Sequence, residues 1–354
     1  MHTLLFNALV CLLDLLGATA IARRPLARTV LLVALVEGCT ASALATLVAL
    51  SSDLRFFGLL TLLSWLLFAH LPLMLLVAAG LVRRGAPAAA RTLSLAALGL
   101  FLLAGYCFGL EPRRLVVSEH TLVSPKVSRP ITVGVLADLQ TDRIGPYEAR
   151  VVETLLEHAP DLILLPGDYL QVRTRTALEE QGDALRALLL DSGLSAPLGV
   201  FAVRGDVEPP SWPDHFRGLE GYEAVTTSRT FELEGLTLTA LDPAASRSQT
   251  PPVPASDQFH VVFGHDPAFA LAAPPADLLL AGHTHGGQVQ FPFFGPLITL
   301  SKVPRTWAAG GLVRLPSGSH LIVSRGVGME RKHAPRLRFN CPPELVLVHL
   351  EPGG

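Results

Sequence analysis

The stretch Leu278-Leu279-Leu280-Ala281-Gly282-His283-Thr284-His285-Gly286-Gly287-Gln288 decides how this chain is read. Four apolar residues closed by a glycine predict a short strand buried on both faces. Two histidines follow at once. In α/β sheets, ligands are met outside the carboxyl ends of strands. Working outward, the same arrangement recurs. The apolar run 131–137 stops at Asp138, 161–165 at Gly167-Asp168, 198–203 at Gly205-Asp206 and 259–264 at His265. A single Asp after a strand is usually a cap or turn residue. Five strand ends, each offering a carboxylate or an imidazole, point instead to a shared metal centre, because divalent ions such as Mn, Fe or Zn accept those donors.

The segments between these strands fill in the fold class. Residues 146–158 and 176–191 predict amphipathic helices. Residues 231–233 and 236–241 predict a hairpin turning at Glu234-Gly235, and 321–324 and 345–350 further strands. Helix and strand alternate early and strands dominate late. The expectation is an α/β domain over residues 130–351 with mixed sheets covered by helices.

The N-terminal third is different in kind. The 354-residue chain is 50% apolar and only 16% charged, and the shortage of charge is concentrated in the first 110 residues. Apolar stretches at 4–22, 30–50, 56–82 and 93–110 are each near the ~20 residues a helix needs to cross a bilayer. They predict a transmembrane region of about four helices over residues 1–112, joined by a linker at 113–129. Arg23, Arg24 and Arg28 follow the first stretch, and Arg83, Arg84 and Arg91 the third. The middle loop has only Arg55, offset by Asp53 beside Ser52. Positive loops stay in the cytoplasm. The bias therefore predicts a multi-pass protein of the cytoplasmic membrane with its C-terminal domain outside; Arg113 and Arg114 argue weakly the other way. Asp14, Glu37 and His70 fall in or near the spans, and helix packing or an interfacial place is their simplest reading. Net charge of −2 gives no electrostatic basis for nucleic-acid binding. Four cysteines without CxxC spacing exclude a thiolate zinc site and a disulfide framework.

The segment from Gly282 to Gln288 resembles the GHTHGGQ signature of calcineurin-like metallophosphoesterases, in particular a membrane-linked bacterial branch. Gly167-Asp168, Gly264-His265-Asp266-Pro267, Ser324-Arg325-Gly326-Val327-Gly328, Arg338-Phe339 and Pro343-Glu344-Leu345 fit the same branch. The resemblance implies a four-layer α/β/β/α sandwich with two divalent metal ions at the sheet ends. It implies that Asp138 and His285 hold one metal and Asp168 bridges. His265, His283 and Asp206 would hold the other. Two positions depart from the family pattern of histidines: Gln140 in the first block and Val207 in the third. Gln140 offers a carbonyl oxygen. Val207 stands where the family has a histidine that contacts phosphate and assists the leaving group. Asp206 in the same block replaces an asparagine. Glu208 or His215 are the candidate replacement acids, beside Asp168 and Asp206 as catalytic residues. The implied activity is hydrolysis of a phosphoester, phosphodiester or pyrophosphate by a metal-bound hydroxide. The anchor suggests a phosphorylated, lipid-linked or envelope substrate. The competing expectation is a catalytically silent, membrane-held metal- or phosphate-binding module.

Overall fold

The computed structural model describes residues 2–51 and 55–353, so Ser52 and Asp53 of the second loop lie outside the described residues. The chain divides into two compact units, Met1–Gly109 with His333–Arg336, and Leu110–Lys332 with Leu337–Gly354.

The first unit is helical: α1 (His2–Arg23), α2 (Ala27–Leu50), α3 (Arg55–Trp65), α4 (Leu71–Val82) and α5 (Pro87–Ala104), with a π-helical turn, Leu66–His70, joining α3 to α4. Four helical stretches, His2–Arg23, Arg28–Leu50, Arg55–Val82 and Pro87–Arg113, are long and apolar enough to cross a membrane. Leucines such as Leu31, Leu35 and Leu50 are exposed, while Ala41, Ala45, Ala78, Ala79 and Ala90 pack inside. Small residues inside and large ones outside suit helices solvated by lipid, where close backbone approach holds the bundle. The three ionisable groups are drawn into packing. His70 Nδ1 lies 2.6 Å from Asp14 Oδ2 and His70 Nε2 lies 3.0 Å from Asn7 Oδ1. Glu37 sits over Gly17, where a Cβ would come within 1.7 Å of its Oε1.

The second unit is built on two six-stranded sheets. The first contains β1 (Val116–Ser124), β2 (Ile131–Val135), β3 (Leu162–Leu165), β4 (Val200–Val203), β5 (Tyr222–Val225) and β14 (Glu344–Pro352), in the order β1-β14-β2-β3-β4-β5. The second contains β6 (Arg229–Leu233), β7 (Leu236–Ala240), β8 (His260–Phe263), β9 (Leu278–Ala281), β12 (Leu312–Arg314) and β13 (His320–Val323), in the order β12-β13-β9-β8-β7-β6. A two-residue pair, β10 (Gln290–Phe291) with β11 (Gly295–Pro296), stands apart. Strands β2 to β5 run parallel, as do β7, β8, β9 and β13.

The central strands are apolar throughout because both faces are covered. One face of each sheet meets the other sheet: Val133, Leu162, Leu164 and Phe201 pack with Leu238, Val261, Phe263 and Leu280. The outer face of the first sheet is covered by α6 (Pro146–Glu157) and α7 (Arg175–Asp191), through Val151, Val152, Leu155, Leu185 and Leu189. The outer face of the second is covered by short elements, α8 (Pro243–Ser246), α9 (Arg305–Ala308) and a 3-10 turn at Pro267–Ala272. The result is the expected α/β/β/α sandwich.

Residues 113–129 correct the sequence reading. They are not a bare linker, because β1 within them pairs in parallel with β14 over nine residues, Val116 against Glu344 to Ser124 against Pro352. An edge strand with one half-exposed face lacks the apolar run that marks a central strand, and its partner lies more than two hundred residues away. The hairpin of β6 and β7 forms as the sequence indicates.

Candidate metal centre

The parallel strands point their carboxyl ends to one edge, and the chain after five of them supplies the donors. Asp138 follows β2, Asp168 follows β3, Asp206 follows β4, His265 follows β8, and His283 and His285 follow β9. Two donor groups result, Asp206 with His265 and His283, and Asp138 with Asp168 and His285. Within each group the candidate ligand atoms lie within 4.8 Å of one another.

The loops that carry these donors are strained. Asp138, Gln140, Asp168, His283 and His285 all have positive φ, between 30° and 72°. Non-glycine residues enter that region rarely, and short polar side chains do so most readily. Crowding explains part of it. Gly167 has φ +105°, and a Cβ there would sit 2.4 Å from the nitrogen of Gly205. The β3 and β4 ends therefore touch backbone to backbone.

Hydrogen bonds then aim each side chain. The amides of Asp206 and Val207 donate to Asp168 Oδ1 at 2.6 and 3.0 Å, which leaves Oδ2 at 3.5 Å from His265 Nε2. His265 Nδ1 lies 3.0 Å from the carbonyl of Pro166, so the proton belongs on Nδ1 and Nε2 is the free donor. The amide of His283 donates to both oxygens of Asp138, at 3.0 and 2.9 Å. Its Nδ1 lies 3.3 Å from His265 Nε2 and 3.4 Å from Asp206 Oδ2.

The electrostatics show an excess of negative charge in a dry place. Burial pushes the Asp138 carboxyl up to about 7, with Asp168 adding to the rise and His265 opposing it. Burial alone would lower His265, but Asp168, Asp138 and Asp206 outweigh it and lift the imidazole to about 9. Burial and then Arg338 hold His285 well below the ordinary range, so it is neutral. Burial and the neighbouring His265 lower His283. Burial works to raise Asp206, but His265, His283 and Arg247 bring it below the usual value.

Two atoms test whether a metal fits. His285 Nδ1 and Gln140 Oε1 are buried and have no hydrogen-bond partner. An unsatisfied buried polar atom costs roughly 1–3 kcal/mol, so such atoms in a native fold call for a partner. The Gln140 amide is oriented to leave its oxygen free: Nε2 donates to Glu330 Oε2 at 2.9 Å and to Gln171 Oε1 at 3.2 Å. A neutral imidazole and a carbonyl oxygen beside crowded carboxylates fit a divalent cation.

Glu208 and His215 join neither donor group. The Glu208 carboxylate accepts from the amides of Tyr169, Gly205 and Asp168 at 2.5, 2.8 and 3.2 Å, and so joins the β3 and β4 loops. Burial and the charge of Asp168 push it up to about 7. His215 belongs to the 3-10 turn Trp212–Phe216, and its ring lies beside Gly182 of α7. The charges it faces are Asp214 and Arg186, and the structure does not bring it to the donor groups.

Four residues join the centre without having been singled out as site residues. Glu330 and Gln171 hold Gln140. Arg247 pairs with Asp206 and lies 3.3 Å from Asp266 Oδ2, so a guanidinium balances the charge that Asp206 adds in place of asparagine. Arg338 is fully buried and donates to the carbonyls of Arg325, Gly326, Gly328 and Cys341. It clamps the loop whose Gly328 amide reaches the Asp138 carbonyl at 2.7 Å. No periodicity marks these residues; only Arg338 lies in a segment whose motif was visible.

No protein-family model matches the chain. Over 70% of its length it is 27% identical to the uncharacterized metallophosphoesterase YkuE of Bacillus subtilis, of which it covers 89%. It is 29% identical to phosphodiesterase YaeI of Escherichia coli, over 70% of this chain and 92% of that one. The chain resembles the metallophosphoesterases. A shorter likeness, 35% identity over 25% of this chain and 28% of the other, is to the UDP-2,3-diacylglucosamine pyrophosphatase LpxG of Chlamydia trachomatis. Among solved structures, a dimetal phosphatase from Danio rerio is 14% identical, covers 56% of this chain and 88% of its own, and superposes with a TM-score of 0.36. The activities named among these sequence relatives are those of a phosphodiesterase and a pyrophosphatase.

Proposed function

We propose that this chain is a membrane-anchored hydrolase of phosphoric esters that uses two divalent ions. The observation that supports it is the grouping of six donors into two sets, Asp138 with Asp168 and His285, and Asp206 with His265 and His283. In this reading Asp138, His285 and Gln140 hold one ion, His265, His283 and Asp206 hold the other, and Asp168 serves both. When bound, divalent ions would supply hydroxide as a nucleophile near neutral pH and would neutralise charge on the phosphoryl oxygens.

The protein's own residues do the rest. The amides of Asp206 and Val207 fix the Asp168 carboxylate, and Pro166 fixes the His265 tautomer. Glu208 locks two loops together and acts as a positioning residue, not as an acid. Arg247 places a fixed cation beside the second donor set, at the part-exposed rim where a phosphate would enter. The four apolar helices hold the domain at a membrane. With the arginine bias of the first and third loops, we place the domain on the outer face. A lipid-linked or envelope phosphate is then the substrate class within reach, and the likeness to a pyrophosphatase of an acylated sugar nucleotide agrees with it.

The test uses the full chain, purified in detergent and loaded with Mn²⁺. Hydrolysis of bis(4-nitrophenyl) phosphate that disappears in Asp168→Ala supports the reading. The silent-module alternative has one observation in its favour, the absence of an imidazole at Val207. Metal binding without turnover on any phosphoester would establish that alternative.

A further inference from the structure

After His285 the chain forms the hairpin of β10 and β11 and runs on to Ser301, and its outer surface has no part in the reading above. Phe291, Phe293, Phe294, Leu297, Ile298 and Leu300 are all exposed, Phe293 completely. A single exposed apolar side chain needs no explanation, but a run of them marks a surface that meets another apolar phase. Phe293 also has φ +68°, between the two paired strands. Bulky side chains enter that region at a cost, and glycine does not. Strain and exposure thus coincide at one residue. The hairpin is fixed at its base. Gln290 Nε2 donates to the carbonyls of Gly286 and Ala309 at 3.0 and 2.7 Å, and the Gln290 amide donates to the Phe339 carbonyl at 2.9 Å. A Cβ on Gly287 would come within 2.6 Å of Pro296 Cβ, so β11 returns against the loop that carries His285.

What the hairpin presents decides its partner. From Gly286 to Ser301 there is no acidic or basic residue. The two glutamines turn inward: Gln290 as above, and Gln288 through Nε2 to the Leu337 carbonyl at 3.2 Å and Oε1 from the Glu330 amide at 2.8 Å. A protein interface carries about one hydrogen bond per 100–200 Å². The six exposed side chains offer none. Lys302 and Arg305 follow at once and are exposed, and Arg305 Nη1 donates to the Pro296 carbonyl at 3.3 Å. Hydrocarbon with cations at its edge matches the boundary between acyl chains and headgroups. The chain brings that boundary with it. The last apolar stretch ends at Arg113 and β1 starts at Val116, so only Arg114 and Leu115 come between. So short a tether keeps the local concentration of bilayer surface high.

We propose that the hairpin of β10 and β11, with the residues up to Leu300, dips into the surface of the bilayer that the apolar helices span. The inference rests on the membrane-anchored part of the reading above and not on hydrolysis. Lipid removes the exposure of Phe293 and its neighbours from water, and Lys302 and Arg305 reach the headgroups beside them. Because the base of the hairpin is bolted to the loop after His285, docking also holds that loop at the headgroup layer.

The test uses the full chain in nanodiscs of phosphatidylcholine and phosphatidylglycerol. The lipids are brominated near the ester, brominated at mid-chain, or unbrominated; bromine quenches an indole only at close range. Trp65, exposed in the third apolar stretch, reports anchoring. The emission that wild type has over Trp65→Phe should be lost to bromine. Phe293→Trp in the Trp65→Phe background reports the hairpin, read as the emission gained over Trp65→Phe alone. That gain should be quenched, and more by bromine near the ester than at mid-chain, because an interfacial side chain stops at the boundary. Phe294→Trp should behave alike, and it replaces Phe293→Trp if the latter lowers the melting temperature. Quenching of Trp65 with none at the hairpin would overturn the proposal and leave the anchored reading standing. No quenching of Trp65 would remove the anchored reading and the proposal together. A hairpin indole that shifts to shorter wavelength without bromine quenching, and only in discs that hold two chains, would assign the hairpin to a second copy and overturn the proposal as well.

Discussion

Gly205→Ala is a small change at the point where two strand ends touch. A methyl group there would sit 2.2 Å from Asp168 Oδ1 and 2.4 Å from the Asp168 nitrogen, where ordinary contact begins at 3.4 Å. The shortfall is about 1.2 Å against the carboxylate, taking ordinary contact as the limit. The carboxylate cannot swing aside without giving up the amides of Asp206 and Val207. The nitrogen is backbone, so the β3 and β4 loops must part. Overpacking of this kind costs about 1–3 kcal/mol. At roughly 2–4 °C per kcal/mol for a domain of this size, the melting temperature should fall by roughly 2–12 °C. The effect on chemistry should be larger, because a ~1 Å misplacement of a reacting group can cost about 100-fold. Differential scanning fluorimetry, metal analysis and turnover on bis(4-nitrophenyl) phosphate measure the three. Gly145→Ala is the control, since its added carbon meets nothing nearer than 3.8 Å. A Gly205→Ala protein with wild-type metal content and turnover would refute the claim that the Asp168 geometry matters.

Metal uptake should release close to one proton per chain at pH 7.5, because His265 is charged below about 9 in the metal-free protein and must be neutral to coordinate; calorimetry in two buffers of different ionisation heat counts it, and no release would contradict the assignment. The metal-free protein should be less stable at pH 9 than at pH 6. His265, raised to about 9, contributes stability below its unfolded value that is lost as pH rises through 9, and Asp138, raised to about 7, is harder to keep buried once ionised. Urea midpoints at the two pH values check the sign, and a higher midpoint at pH 9 would show it to be wrong. Val207→His should speed hydrolysis of alkyl esters by 10-fold or more and leave nitrophenyl esters nearly unchanged; equal effects on both would show that the imidazole does not act on the leaving group. A C-terminal alkaline phosphatase fusion should be active and a green fluorescent protein fusion dark, and the reverse would place the domain in the cytoplasm.

The strands that make the centre were legible because they are buried on both faces. An apolar run that ends abruptly at Asp138, Asp168 or His283 needs no partner to be recognised. The edge strand β1 was not legible, since Val116–Ser124 is half-exposed and its pairing with β14 is set by tertiary contact. The same distinction holds within the site. The six donors follow strands and carry motif spacing, so position in the sequence exposes them. Arg247 and Glu330 act through side chains from loops far away in the chain, and Gln171, only three residues beyond Asp168, acts on Gln140 of another loop; a loop's path is fixed by packing, not by its own residues. Glu208 and His215 show the opposite hazard. Both are close to Val207 in sequence, but Glu208 is held by backbone amides and His215 turns toward α7.

The five left-handed residues, Asp138, Gln140, Asp168, His283 and His285, also store backbone strain around the candidate centre. Each sits where glycine is more comfortable by about 1 kcal/mol. Replacing any one with glycine removes a donor and relaxes the backbone together. At Asp168 the same step strips the amides of Asp206 and Val207 of their acceptor, and at Asp138 the amide of His283, a loss of about 1–3 kcal/mol for each amide that outweighs the relaxation. The hydrogen bonds that aim these side chains also hold the strained backbone, as a spring stays wound only while something holds it.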